Sequence, residues 1–190
     1  DSRGRAILAK QDAKQDGRRD WSDHYWWSSD SVRLHARVYA GPGDSEKAPP
    51  ILCMPGLARN ARDFELLAPH VAQYRKVIAI EFRGRGESAF AKDPMTYVPL
   101  TYVQDVVALL DELGIDRFAT IGTSLGGLVS MLMAATLPGR LVGAVLNDVG
   151  PELEAAGQLP TVVMPDPATR PRRMLIAFRQ ELVGRPVACQ

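Results

Sequence analysis

Short apolar runs alternate with helical patterns through the middle of the chain. Residues 32–39 alternate apolar and polar side chains, which is typical of a strand with one solvent-exposed face. Residues 25–27 precede them, and the Ser- and Asp-rich residues 28–31 between the two segments predict a hairpin turn. Later runs are short and almost wholly apolar, as expected of buried parallel strands. They are residues 51–54, 77–80, 118–121 and 142–146.

Helical patterns separate these runs. Apolar residues recur at helical spacing from Val103 to Leu113, and Gly114 follows at the position of a C-terminal cap. A shorter pattern at residues 63–67 is interrupted at Pro69, and residues 125–136 predict a buried helix. This alternation predicts βαβ units in an α/β fold with a mainly parallel sheet, which the initial hairpin makes mixed.

Composition divides the chain into three zones. Residues 1–20 are polar and charged and predict a solvated arm, whereas residues 21–157 carry the alternating pattern. Residues 158–190 are rich in Pro and Arg, and the pattern stops there. Within this last zone we expect a short basic amphipathic helix from Met174 to Leu182, or an edge strand at residues 161–164 if the chain is a naturally short variant.

The overall composition is that of a domain with a proper core. The chain of 190 residues is 46% hydrophobic and 24% charged, and its net charge of +1 argues against a general nucleic-acid binder. No apolar run is long enough to span a bilayer, no secretory signal is visible, and two cysteines are too few for a disulfide framework. We therefore expect a cytoplasmic protein. Neither cysteine has a metal-ligand neighbour and the histidines do not cluster, so we expect no metal and no other cofactor.

The candidate chemistry lies in residues 122–126, which read G-x-S-x-G between an apolar strand and an apolar helix. Ser124 would sit on a tight turn where the neighbouring chain leaves little room beyond a hydrogen at positions 122 and 126. The N–H of Leu125 at the helix start would then be a donor to a developing oxyanion. The loop after the strand at 51–54 would supply the second donor, the N–H of Leu57. The alternatives are a chance match at 122–126 and an ordinary Pro-Gly turn before Leu57.

These segments together resemble the N-terminal part of the α/β-hydrolase fold family. The resemblance covers residues 25 to about 150, and its pieces include residues 81–88, where Glu81 stands for the usual Asp of D-x-R-G-x-G-x-S. Pro55 replaces the usual His of the oxyanion loop. The resemblance implies an α/β-hydrolase-like, mostly parallel sheet with flanking helices, incomplete in this chain. It also implies a serine hydrolase that acts on an ester or related small-molecule acyl substrate, with Ser124 as the nucleophile.

A competing interpretation concerns residues 84–89, which also fit the dinucleotide fingerprint G-x-G-x-x-A. A nucleotide-binding loop must run directly into a helix whose N-terminus holds the pyrophosphate. Pro94 and Pro99 follow instead, and no helical period begins before about Thr101. We therefore interpret this segment as a loop at the rim of a pocket.

The base and the acid are less certain than the serine. A serine hydroxyl needs a positioned base, and in this family the chain order is Ser, then the acid, then His. The histidines at 24, 35 and 70 all precede Ser124, and we expect each to have a structural role. Asp148 follows the sixth strand and is a candidate acid, with a turn-capping role as the alternative. The second hypothesis is therefore a catalytically inactive fragment or pseudoenzyme.

The loss of pattern after Gly157 predicts a truncated or altered form of a longer hydrolase. The strand at 142–146 would then be a sheet edge, and we expect marginal solubility or a homodimer through it. A weaker hypothesis is that the basic segment at residues 171–183 binds a membrane surface or a partner protein.

Overall fold

The computed structural model describes residues 20–43 and 48–149, and the backbone of residues 175–179. The strands are β1 (Ser22–Trp27), β2 (Arg33–Tyr39), β3 (Ile51–Met54), β4 (Val77–Glu81), β5 (Phe118–Thr123), β6 (Leu141–Asn147) and β7 (Leu175–Arg179). The helices are α1 (Ala68–Ala72), α2 (Pro99–Glu112) and α3 (Leu125–Thr136), with short 3-10 helices at Ala61–Phe64 and Pro94–Thr96. The predicted arm before residue 20 and the predicted strand at 161–164 lie outside the described residues.

The strands form one mixed sheet in the order β1-β2-β4-β3-β5-β6-β7. Strands β4, β3, β5 and β6 are parallel, whereas the hairpin β1–β2 pairs with β4 in the antiparallel sense. The mostly parallel α/β sheet with flanking helices is therefore confirmed. Because the carboxyl ends of parallel strands lie at one edge, Met54, Glu81, Thr123 and Asn147 end at the same side of the molecule.

Helices cover both faces of the sheet because its central strands are apolar on both sides. In β4 the side chains of Ile78 and Ile80 belong to a core that α2 and α3 complete. Val77 and Ala79 point to the opposite face and pack in a smaller core with Phe64 and helix α1. Alternate side chains of a strand point to opposite faces, so a strand that is apolar throughout contributes to a core on each face of the sheet.

Prolines begin helices here rather than interrupting them. Pro69 lies in the first turn of α1, which corrects the expectation that it breaks a helical pattern at 63–67. Pro99 likewise opens α2, two residues before the start that the periodicity predicts. The reason is that a helix leaves its first N–H groups unpaired, so a residue without an N–H fits there at no cost.

The amphipathic helix predicted around residues 174–182 was wrong. Leu175–Arg179 is a strand that pairs antiparallel with β6. Four consecutive apolar residues, 175–178, are typical of a short buried strand, and this signal outweighs the weak helical spacing of the segment. Strand β6 is therefore paired on both sides, by β5 and β7, and the argument for a homodimer through an exposed β6 edge no longer holds.

Candidate active site

Ser124 occupies a strained turn between β5 and α3. Its backbone has φ 49° and ψ −110°, a left-handed conformation that is rare for a residue with a side chain. The turn is anchored from the neighbouring strand, because the Ser124 N–H donates to the carbonyl of Asn147 at 2.9 Å. The Ser124 side chain is exposed and forms no capping hydrogen bond to α3. The predicted tight turn at the carboxyl edge of the sheet is present.

The glycines around this serine are required by close backbone contacts. A Cβ on Gly122 would overlap the carbonyl group of Gly126, and a Cβ on Gly126 would overlap the carbonyl group of Met54 in β3. At Gly127 a Cβ would collide with the side chain of Val149. The segment from 122 to 127, called the elbow below, therefore packs through its backbone against two neighbouring strand ends.

The loop after β3 lies beside the elbow, as an oxyanion loop must. A Cβ built on Gly56 would be 3.7 Å from the Cβ of Ser124, and the N–H of Gly126 donates to the Pro55 carbonyl at 3.1 Å. The N–H of Leu57 follows directly, and among the hydrogen bonds of the described residues none uses it. The N–H of Leu125 is one of the first in α3 and has no partner within the helix. Leu125 thus follows Ser124 in the chain, and Leu57 follows a residue, Gly56, that lies next to Ser124 in space.

Asp148 lies at the same edge of the sheet as the elbow. It follows β6 directly after Asn147, it is exposed, and its φ is 55°. Asn147 is the residue whose carbonyl accepts the Ser124 N–H. Asp148 is thus the chain neighbour of the residue that hydrogen-bonds the nucleophile candidate, and its role as the acid stays a prediction.

All three histidines of the chain have partners away from the elbow. The Nε2 atom of His24 lies 3.1 Å from Oε1 of Glu112, and Nδ1 of His70 lies 2.8 Å from the Leu66 carbonyl. His35 is buried in β2, where its ring lies between two carboxylates. No histidine is therefore placed as the base for Ser124.

Glu81, whose role is not evident from the sequence, organises the loops at this edge of the sheet. Its buried carboxylate lies 2.9 Å from Nδ1 of His35 and accepts the backbone N–H of Glu87 at 2.6 Å and of Ala61 at 3.3 Å. Burial alone would raise the pKa of Glu81, but these hydrogen bonds outweigh burial and hold the pKa below its usual value. A Cβ on Gly86 would overlap this carboxylate, so the loop closes tightly over it.

The pKa of His35 shifts in the opposite direction to that of Glu81. Its Nε2 atom lies 3.1 Å from Oδ1 of Asp23, so both ring nitrogens face carboxylate oxygens. Burial alone would lower the pKa of His35, but the hydrogen bonds to Glu81 and Asp23 raise it above its usual value. The protonated ring, which donates at both nitrogens, is the form that suits these partners.

Arg83 forms a second buried charged cluster, which the sequence analysis also missed. The side chain is fully buried and donates from Nε and Nη2 to the carboxylate of Asp105 on α2, at 2.9 and 2.6 Å. It also donates from Nη1 and Nη2 to Asp30 in the hairpin turn, at 2.8 and 3.0 Å. Arg83 and Ser28 hold the pKa of Asp30 down at about 2, whereas burial raises the pKa of Asp105. One guanidinium thus ties the hairpin and α2 to the end of β4.

Among the described residues, the Cys53 thiol is buried in the core. Burial raises the pKa of the Cys53 thiol to about 12, so it stays protonated in the core. Within residues 20–43 and 48–149, no group of three or more His, Cys, Asp or Glu side chains is arranged to hold a metal ion. None of the helices in that same part of the chain is both long enough and apolar enough to cross a membrane.

The family model described as "alpha/beta hydrolase fold" matches residues 49–183, which is more than two thirds of the chain. The match includes part of the Pro- and Arg-rich segment, and a domain boundary at residue 157 stays a prediction. Among solved structures, an alpha/beta hydrolase from Novosphingobium aromaticivorans is 57% identical, with a TM-score of 0.67 over 72% of this chain and 47% of that one.

Curated relatives are more distant. The 3-hydroxybutyrate-oligomer hydrolase of Cupriavidus necator is 35% identical over 63% of this chain and 41% of its own length. An sn-1-specific diacylglycerol lipase of Danio rerio is 33% identical over 66% of this chain and 38% of its own. The chain thus spans less than half the length of these relatives.

Proposed function

Because the chain belongs to the α/β-hydrolase fold family, we propose that the protein is a serine hydrolase acting on an ester or a related acyl substrate, with Ser124 as its nucleophile. The observation that carries the proposal is the exposed Ser124 on a left-handed turn between strand and helix. Such a turn is strained, and strain of this kind concentrates where a side chain must be presented to a substrate. The Ser124 hydroxyl does not cap α3, so a structural role as a helix cap does not explain a serine at this position.

In the proposed reaction the Ser124 oxygen attacks the carbonyl carbon of the acyl group, and its proton passes to a base. Negative charge develops on the carbonyl oxygen, where the N–H groups of Leu57 and Leu125 would stabilise it. Asp148 is the proposed acid, in keeping with its place after β6. The proposal assigns the base to none of the histidines at 24, 35 and 70, since each has a partner elsewhere.

The relatives support an ester as the substrate class. One is named as a hydrolase of 3-hydroxybutyrate oligomers and another as a diacylglycerol lipase. The compounds in both names are esters, and a small-molecule ester is what we propose for this protein. A cytoplasmic location remains a prediction from the low cysteine content.

The second candidate function is that of a catalytically inactive fragment or pseudoenzyme that uses the same edge of the sheet only for binding. The positions of the three histidines favour this candidate, because a serine without a base is a weak nucleophile. Loss of one triad member typically leaves only about 10³- to 10⁴-fold acceleration over water.

A fluorophosphonate probe separates the two candidates, since it reacts rapidly only with an activated serine. We expect adducts at Ser124 by mass spectrometry, loss of labelling in Ser124→Ala, and slower labelling in Asp148→Asn. Ser29, which is exposed in the hairpin turn, provides an internal control and should stay unlabelled. Folded protein with no adduct at Ser124 would overturn the hydrolase proposal and favour the inactive protein.

A further inference from the structure

Arg85 lies in the loop that connects β4 to the following helices, and its backbone is fixed on both sides. Its N–H donates to the Phe82 carbonyl at 3.0 Å, and its own carbonyl accepts the Ser88 N–H at 3.0 Å. Residues 82–89 are called the rim loop below. These two hydrogen bonds place Arg85 at the end of one turn and the start of the next. The rim loop therefore fixes the main chain from which the Arg85 side chain extends.

The Arg85 guanidinium reaches across to the loop after β3. Its Nε donates to the carbonyl of Leu57 at 2.8 Å, and its Nη1 donates to the carbonyl of Arg83 at 2.8 Å. The Cζ atom lies 5.7 Å from the ring centroids of both Tyr97 and Tyr102. These contacts suit a guanidinium, which donates several hydrogen bonds while its positive charge lies near aromatic rings.

The Leu57 side chain adds little to the packing that holds this loop in place. The residue is 61% exposed and therefore contributes little packing. Its neighbour Gly56 lies beside Ser124, and the carbonyl of Gly56 accepts the Arg59 N–H in a turn at 3.1 Å. The bond from Arg85 fixes the peptide group that contains the Leu57 carbonyl, and the turn to Arg59 fixes the preceding peptide group, which carries the Leu57 N–H. The two peptide groups meet at the Cα of Leu57, so loss of the first contact would leave the donor held from one side only.

We propose that Arg85 is a positioning residue that fixes the Leu57 segment, so that the Leu57 N–H is directed at the oxyanion. The inference rests on the proposed function, because it concerns one of the two donors assigned there. The effect on the reaction is indirect: Arg85 acts through the Leu57 carbonyl. A donor displaced by about 1 Å can lower a rate by roughly 100-fold, so a clamp on this residue has a measurable consequence.

The test compares Arg85→Met with a matched arginine at the opposite end of the sheet. Arg140 also clamps a loop by its main chain, donating to the carbonyls of Ile115 and Asp116 at 2.9 and 3.3 Å. That loop precedes β5, whereas Ser124 follows β5. Arg140→Met therefore removes the same kind of main-chain contact, together with an ion pair to Asp111, without touching the elbow.

Two readouts are measured on each protein. The first is fluorophosphonate labelling of Ser124 over a range of probe concentrations, which separates the maximal labelling rate from the probe concentration at half-saturation. We expect Arg85→Met to lower the maximal rate by roughly 10- to 100-fold with little change in half-saturation, because a misdirected oxyanion donor affects the transition state. Arg85→Lys, which keeps one donor, should recover part of the rate, and Arg140→Met should match the parent.

The second readout is amide hydrogen exchange of a peptide covering residues 55–64, which needs no catalytic activity. Exchange there should become faster in Arg85→Met and stay at the parent rate in Arg140→Met. If the parent protein is labelled and Arg85→Met is labelled at the same rate, the positioning role is overturned. If the parent is not labelled, the proposed function fails, and hydrogen exchange alone tests whether Arg85 holds the Leu57 segment. Unchanged exchange in Arg85→Met would then overturn the positioning role as well.

Discussion

The elbow and the rim loop lie at the same edge of the sheet and are held in place by opposite means. The elbow makes its closest contacts through glycines, because Gly122 lies against the carbonyl group of Gly126 within the elbow and Gly126 lies against the carbonyl group of Met54 in β3. The rim loop is tied down by charged side chains, with Glu81 accepting the N–H of Glu87 and Arg83 buried between Asp30 and Asp105. The elbow therefore requires residues without a Cβ, whereas the rim loop requires oppositely charged side chains that pair.

This difference determines how each segment can fail. Removal of one partner of a buried ion pair is strongly destabilising, because the remaining charge stays out of water with no opposite charge to compensate it. A backbone contact fails when a single carbon atom is added, because the neighbouring main chain cannot move away cheaply. Charge deletion should therefore damage the rim loop, and methyl addition should damage the elbow.

The largest effect is expected for Arg83→Met. The substitution leaves the carboxylate of Asp105, which is 5% exposed, without its cation. We expect a loss of about 3–5 kcal/mol in the free energy of unfolding, measured by urea denaturation. Arg59→Met is the control, because the Arg59 side chain is 66% exposed in its pair with Asp63 and its loss should leave the free energy of unfolding nearly unchanged. Equal effects of the two substitutions would show that the buried cluster does not hold the rim loop.

A smaller loss is expected for Gly126→Ala in the elbow. The added Cβ would overlap the Met54 carbonyl group, so β3 or α3 must shift. We expect the free energy of unfolding to fall by about 1–3 kcal/mol, even though alanine is the better helix former. Gly43→Ala is the matched control, because a Cβ there meets nothing within 4 Å. A Gly126→Ala protein as stable as Gly43→Ala would mean that the elbow does not pack through its backbone.

The elbow could be predicted from the sequence and the rim loop could not, for a physical reason. Glycine at 122 and 126 reports a local steric demand, and the strand and helix that meet at Ser124 are visible in the adjacent residues. The partners of Arg83 lie at positions 30 and 105, and those of Glu81 at 35, 61 and 87. Only the folded sheet brings these positions together, so their charges look like ordinary solvated residues in the sequence.

Strand β7 is a second feature that the local sequence pattern could not predict. The apolar run at 175–178 is too short to distinguish a strand from part of a helix by its own pattern. Pairing with β6 determines its structure, and that partner lies some thirty residues earlier in the chain. Long-range strand pairing is the information that local periodicity lacks.

The smallest effect, and the sharpest probe of the elbow, is expected for Ser124→Gly compared with Ser124→Ala. Both substitutions remove the hydroxyl, which makes no cap for α3, but only glycine removes the strain of φ 49°. Left-handed strain of this kind costs about 1–3 kcal/mol, and the greater freedom of glycine in the unfolded chain offsets part of the gain. We expect Ser124→Gly to exceed Ser124→Ala by about 1 kcal/mol in the free energy of unfolding, measured by urea denaturation, with neither labelled by the fluorophosphonate. If the alanine variant is the more stable of the two, the turn is not strained, and the main argument for a presented nucleophile at position 124 is lost.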